Sequence, residues 1–210
     1  MHGVFDPTLY AIIDLTPDGP DIRIDEVRHA VAGGVTLLQL RGKGVSARRL
    51  CMQARELVRQ LRPLGIPLLV NDRADVARAA LAQGVHLGQS DIPAALIRRA
   101  WPEAIIGVSI HNEDELDEAQ NAGASYLASG SLFHTTTKLD ATPLAEEMLQ
   151  ALVARSDRPL VAIGGITVDN AATAARLGAA GIAVIGGLWC ASDVTDRASA
   201  LRAAFESGRG

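Results

Sequence analysis

Two lysines stand out in a chain that otherwise relies on arginine. Lys43 and Lys138 are the only lysines among 20 Lys and Arg residues, and a compact ammonium does different work from a planar guanidinium. Lys43 ends the row Gln39, Arg41, Lys43, whose alternate spacing puts all three on one side of an extended segment. Lys138 follows Thr135 and Thr137 in SLFHTTTKLDAT. A cationic row, hydroxyls and a second ammonium suit a highly charged oxyanion such as a diphosphate. Asp72 and Asp91 each follow an apolar run. Two carboxylates together with phosphate oxygens suit Mg2+, which takes oxygen ligands and keeps several waters. Two glycine pairs, Gly164–Gly165 and Gly186–Gly187, complete the set. Glycine lets backbone N–H groups approach an anion, and helix N-termini attract one. The expected chemistry is Mg2+-assisted handling of a diphosphate beside a separate phosphate clamp.

Each feature also has a plainer reading. Asp91 can cap the helical stretch IPAALIRRA, and Asp72 can cap RADVARAAL. The glycine pairs can serve tight strand-to-helix packing. His86 and His111 fall inside apolar runs, where a histidine is usually packed and hydrogen-bonded. The five histidines have no zinc-type spacing with Cys or Glu. Ser109, His111 and Asp91 together suggest a hydrolase triad, but no nucleophile elbow accompanies them.

These residues need elements to hold them. Eight apolar runs read as buried strands: Leu9–Asp14, Thr36–Arg41, Pro67–Asp72, Gly84–Gln89, Ile105–His111, Ser125–Ser131, Pro159–Ile166 and Gly181–Leu188. Near-continuous apolar runs are what a parallel sheet buried on both faces requires. Helical stretches separate them. Ser46–Leu64 begins on a capping residue and places Leu50, Leu57 and Leu61 on a stripe. Asn112–Gly123 opens acidic and closes on glycine, as helix electrostatics favour. Thr167 is the expected N-cap of VDNAATAARLG, and Pro143 suits the first turn of PLAEEMLQALVARS. Eight strand–helix units in 210 residues fit one lean α/β domain, a (β/α)8 TIM barrel over 1–210. An open doubly wound sheet is disfavoured, because IIDLTPDG lacks the Gly-x-Gly-x-x-Gly pattern after the first strand. In a barrel the polar strand ends, including Asn71, Gln89, Ser109 and His111, meet over one mouth.

Composition narrows the functional class. Hydrophobic residues make up 48% of the chain, enough for a substantial core. The formal charge of −4, with 2 Trp, 2 Tyr and 3 Phe, offers neither a basic face nor a stacking platform for nucleic acid. No apolar run approaches the ~18 residues of a membrane span. Met1–Pro7 lacks the basic-then-apolar pattern of a signal peptide. Two cysteines, Cys51 and Cys190, do not make a disulfide framework. Reduced thiols in a cytoplasmic protein are expected, with small-molecule partners; a homodimer is compatible with a barrel.

The ordered segments QLRGK, VNDRADVA, GVHLGQSD, GVSIH, LFHTTTK, VAIGGIT and GIAVIGG resemble the thiamine phosphate synthase family, from Leu9 to Leu188. The resemblance implies a phosphate-binding barrel and a condensation that releases pyrophosphate. It implies that Gln39, Arg41, Lys43 and Asn71 hold the diphosphate of a hydroxymethylpyrimidine diphosphate. Asp72 and Asp91 would ligate Mg2+, and Ser109 would sit near the pyrimidine. Thr135, Thr137 and Lys138 would bind the second substrate and the departing pyrophosphate. Backbone amides of Gly165, Ile185 and Gly186 would clamp a thiazole phosphate. Lys43, Ser109 and Lys138 would form the catalytic set, with ionisation to a pyrimidine methylene cation preceding attack by the thiazole nitrogen. Two segments depart from the family pattern: GSLFH replaces a Gly-Pro start with a later Pro, and Gly186 stands where Ser is usual.

Two rival readings remain. A thiazole tautomerase of the same superfamily would carry its catalytic histidine where this chain has Ser131, although His134 lies three residues later. A non-catalytic phosphate-binding barrel would need the glycine clamp but not Lys43, Asp72 and Asp91 together.

Overall fold

The computed structural model describes residues 5–134 and 144–209. Eight strands form the sheet: Leu9–Asp14 (β1), Leu37–Arg41 (β2), Leu68–Asn71 (β3), Gly84–Leu87 (β4), Ile105–Ile110 (β5), Tyr126–Ser129 (β6), Leu160–Ile163 (β7) and Gly181–Val184 (β8). Each pairs in parallel with the next, and β8 returns to β1, so the sheet closes into a barrel. The helices are Ile24–Ala32 (α1), Ala47–Leu61 (α2), Ala74–Ala80 (α3), Ala94–Ala100 (α4), Glu113–Asn121 (α5), Glu146–Arg155 (α6), Ala171–Arg176 (α7), Gly186–Trp189 (α8) and Val194–Ser207 (α9). The expected eightfold alternation is therefore present, with the eighth crossover divided between α8 and α9.

Strand alternation sorts the apolar side chains into two layers. Tyr10, Ile12, Leu37, Leu69, Ile105, Tyr126, Ala128, Val161 and Ala183 form one cluster. Their neighbours in sequence, including Leu9, Leu38, Leu68, Ile106, Leu127, Leu160 and Ile182, join the helices in a second. Adjacent strand residues point to opposite faces, so the first cluster fills the barrel and the second packs between barrel and helices.

Helix α2 shows how the outer layer forms. Ser46 caps it, its Oγ accepting from the Arg49 N–H. Leu50, Ala54, Leu57, Val58 and Leu61 make the buried stripe. Fully burying each leucine stabilises the fold by roughly 2 kcal/mol. The helix gives way to a 3-10 turn at Arg62–Leu64, where Pro63 removes a donor and Gly65 takes a left-handed φ of 70°. It thus ends at Leu61 rather than at the expected Leu64.

Several strands also stop earlier than their apolar runs. β7 ends at Ile163 and β8 at Val184, so both glycine pairs lie beyond the sheet. Gly164 and Gly165 have positive φ and turn the chain out of the barrel. Thr167 does not cap α7: the cap position is Asn170, whose Oδ1 instead accepts from the Thr167 N–H. Pro143 lies outside the described residues. Among the described residues, no helix is long and apolar enough to cross a membrane.

Candidate active site

A cavity of about 730 Å3 opens at the carboxyl ends of the strands. Gln39, Arg41 and Lys43 line it, as do Asn71, Asp72, Asp91 and Ser109. So do Gly165, Ile185 and Gly186 from the opposite side of the barrel. Residues far apart in sequence therefore share one space. Thr135, Thr137 and Lys138 lie outside the described residues.

The cationic row is built at the end of β2. Arg41 pairs in register with Asp14 of β1. Its Nη1 donates to both Asp14 carboxylate oxygens at 2.7 Å, which anchors the guanidinium at the rim. Gln39 sits deeper, is only 2% exposed, and donates from Nε2 to the Tyr10 hydroxyl. Lys43 is exposed in the turn after β2. The row thus descends from an exposed ammonium through a braced guanidinium to a buried amide.

Asp72 and Asp91 meet across the loops after β3 and β4. Asp72 has a φ of 62°, a left-handed conformation that Asp tolerates better than most residues. Its backbone N–H donates to the His86 carbonyl at 2.8 Å, which ties this turn to β4. Asp91 is held by its own loop, where Oδ2 accepts from the Gly88 N–H at 2.6 Å. Neither aspartate caps the following helix, since the cap positions are Arg73 and Pro93. Partial burial first, and then the hydrogen bond and charge of Asp91, push the Asp72 carboxyl up to about 6. Lys43 and Arg41 pull in the opposite direction. Two carboxyls in mutual conflict beside two cations suit a divalent metal that also meets a polyanion. Among the described residues, no cluster of three or more His, Cys, Asp or Glu could hold a metal ion. A cation held by this pair would draw its other ligands from substrate and water.

The two histidines differ. His86 is packed inside the barrel, with Nδ1 2.8 Å from the Tyr126 hydroxyl and Nε2 2.9 Å from Ser109 Oγ. Burial lowers its pKa to about 4. His111, expected to be packed as well, lies just beyond β5 and is exposed. Its Nδ1 and backbone N–H both face Glu115 Oε2. The serine that sequence spacing paired with His111 therefore bonds to His86.

The glycines divide by role. A Cβ on Gly164 would lie 2.1 Å from Ser131 Oγ, and one on Gly165 would lie 2.3 Å from the His134 carbonyl. Gly187 is similarly crowded by the Ile166 carbonyl at 2.4 Å. Close packing thus demands these three, as the plainer reading held. At Gly186 the nearest atom is Cys190 Sγ at 3.8 Å, so that position is open. The Trp189 Nε1 donates to the Ile12 carbonyl at 2.8 Å and fixes α8 against β1. Ser131 is buried, and its Oγ donates to the Phe133 carbonyl at 2.6 Å.

Sequence reasoning missed Asp14, Tyr10 and Tyr126. The two tyrosines are the only ones in the chain. Their rarity inside strands was a usable signal, as it was for the lysines.

Comparison with known proteins places the chain in a family and its fold among solved structures. A family described as thiamine monophosphate synthase matches residues 9–188. A protein of Chloroflexus aurantiacus named thiamine-phosphate synthase is 47% identical over 84% of this chain and 82% of its own length. One from Azorhizobium caulinodans with the same name is 41% identical over 100% of both. The solved structure of thiamine phosphate pyrophosphorylase from Pyrococcus furiosus superposes with a TM-score of 0.87 at 36% identity, covering 97% of this chain and 98% of that one. The 3-hexulose-6-phosphate synthase of Salmonella typhimurium, 15% identical with a TM-score of 0.71, shares the fold. Matched along nearly its whole length, with the paired aspartates and the glycine-lined wall in one cavity, this chain belongs to the thiamine monophosphate synthase family.

Proposed function

We propose that this protein is a thiamine-phosphate synthase. It joins 4-amino-2-methyl-5-hydroxymethylpyrimidine diphosphate to 4-methyl-5-(2-hydroxyethyl)thiazole phosphate. The products are thiamine phosphate and pyrophosphate. The observation that carries this reading is the single cavity in which Lys43, Asp72 and Asp91 face Gly165 and Gly186. One side suits a diphosphate and the other a monophosphate. The names of the relatives support the same reading.

Chemistry follows from the charge pattern. The C–O bond between the pyrimidine methylene and the diphosphate breaks heterolytically, and its electron pair leaves with pyrophosphate. The thiazole nitrogen then donates its lone pair to the methylene carbon. No proton need be removed in either step, so charge stabilisation of the leaving group matters more than a general base. Arg41 and Lys43 supply positive charge, and Asn71 and Gln39 orient neighbouring groups. Mg2+, held by Asp72 and Asp91, would neutralise the developing pyrophosphate charge. Gly186 opens α8 and lines the cavity with its neighbour Ile185 and with Gly165, so the backbone N–H groups of these three suit the thiazole phosphate. Thr135, Thr137 and Lys138 belong to the same proposal as contacts to the second substrate and the leaving pyrophosphate.

Incubation with both substrates and Mg2+ tests this. Thiamine phosphate and pyrophosphate should form together, and EDTA should stop both. A tautomerase would isomerise a thiazole with no pyrophosphate, and a binding barrel would form neither product. Ser131 argues against the tautomerase, because its hydroxyl is committed to the Phe133 carbonyl. Failure to form thiamine phosphate from both substrates would remove the synthase reading.

A further inference from the structure

A line of hydrogen bonds crosses the inside of the barrel and ends in the cavity. Gln39 Nε2 donates to the Tyr10 hydroxyl. The Tyr10 and Tyr126 hydroxyls are 2.8 Å apart. Tyr126 Oη lies 2.8 Å from His86 Nδ1, and His86 Nε2 lies 2.9 Å from Ser109 Oγ. Five strands contribute one residue each: β2, β1, β6, β4 and β5. The first four members are at most 8% exposed, whereas Ser109 lines the cavity.

We propose that Tyr10, Tyr126 and His86 are positioning residues that hold Ser109 as a hydrogen-bond donor toward the bound substrate. Proton counting gives the direction. Each phenol has one proton, neutral imidazole has one, and each link needs one. The Gln39 amide donates at the head, and a proton left over on Tyr10, which is 1% exposed, would be buried without an acceptor, so Tyr10 donates to Tyr126, and Tyr126 to His86 Nδ1. His86 then carries its proton on Nε2 and donates to Ser109 Oγ. The Ser109 proton is left over and turns to the cavity. An imidazolium would force Tyr126 to donate to Tyr10, leaving the buried Tyr10 proton without an acceptor in the line. The line therefore selects one neutral tautomer. It also denies Ser109 a base, since the nitrogen that would remove its proton already holds one. This separates the site from a serine hydrolase despite the Ser–His contact.

Packing around Tyr126 holds the line in place. A Cβ on Gly107 would lie 2.1 Å from the Tyr126 ring and 2.2 Å from its hydroxyl, so glycine leaves room for the phenol. The rings of Phe5, Tyr10 and His86 surround it, with centroids 5.5, 5.8 and 5.7 Å away.

The role of Ser109 toward substrate rests on the synthase reading, but the proton arrangement is measurable without substrate. Nitrogen-15 NMR of the intact, ligand-free protein should show His86 protonated on Nε2 and bare on Nδ1. Protonation on Nδ1, or a mixture, would overturn the proposal whatever reaction the protein performs. In Tyr126→Phe the preference for Nε2 should be lost, and turnover should fall about tenfold, as for a lost hydrogen bond to a reacting site. Adding Tyr126→Phe to Ser109→Ala should cost nothing further if the tyrosine acts through the serine. Fully additive losses, or an unchanged tautomer in Tyr126→Phe, would overturn it.

Discussion

Asp72 and Asp91 line one cavity from loops that follow neighbouring strands, and Asp91 is a cause of the raised Asp72 carboxyl. Asp72 reaches this position from a left-handed turn, and Asp91 through a tie to the Gly88 N–H. The left-handed backbone of Asp72 and the side-chain tie of Asp91 hold two like charges on one cavity wall, which unassisted carboxylates would oppose.

Removing one charge should therefore separate metal use from folding. Asp91→Asn keeps an oxygen that can accept from Gly88. It should retain the wild-type circular dichroism spectrum while Mg2+-dependent turnover falls by at least about a hundredfold, on the scale of losing a site that stabilises leaving-group charge. Turnover near wild type, measured by pyrophosphate release, would take Asp91 out of the metal site.

Metal binding should also depend on pH in a stated direction. The folded Asp72 carboxyl is raised from 3.8 to about 6, so it holds its proton more tightly than in the unfolded chain. Its contribution to stability is full below about pH 4 and is lost as pH rises through about 6. A cation between the ionised pair offsets that loss. Added Mg2+ should raise Tm clearly at about pH 8 and hardly at all at about pH 5. Equal shifts at both values, by calorimetry, would contradict the pairing.

Arg41 depends on Asp14 for its orientation. The pair is partly exposed, with side chains 28% and 27% accessible, so its effect on stability should stay within about 1 kcal/mol. Asp14→Asn should instead raise KM for the pyrimidine diphosphate several-fold, with kcat less affected. A steady-state comparison of the two substrates checks this, and an equal change for the thiazole phosphate would not fit.

Gly186 has room for a side chain, since an added Cβ would meet nothing nearer than Cys190 Sγ at 3.8 Å. Gly186→Ser should fold normally and lower KM for the thiazole phosphate by up to about tenfold, the worth of one hydrogen bond to a charged group. Gly187→Ser, crowded by the Ile166 carbonyl at 2.4 Å, should destabilise the protein in a thermal melt.

Much of this was legible from residue types. The apolar runs and capping residues specify a closed barrel, and strand-end position marks Arg41, Lys43, Asp72, Asp91 and Ser109 as rim residues. Other features needed three dimensions. Thr167 looked like a cap because its neighbours alternate helically, yet the positive-φ turn at Gly164–Gly165 delays the helix until Ala171. Gln39 read as an open ligand group, but its amide faces Tyr10, whose approach depends on strand pairing. His111 read as buried because it continues an apolar run, and only the early end of β5 exposes it. Local pattern carries the elements, and the contacts between distant strand ends carry the site.

The central claim is that Lys43, Asp72 and Asp91 serve one magnesium–diphosphate complex. Calorimetric titration of the intact protein with pyrophosphate, with and without Mg2+, tests it most directly. Wild type should bind pyrophosphate at least about tenfold more tightly with Mg2+, and that gain should vanish in Asp91→Asn. Pyrophosphate affinity indifferent to Mg2+ in wild type, or a full Mg2+ gain in Asp91→Asn, would contradict it.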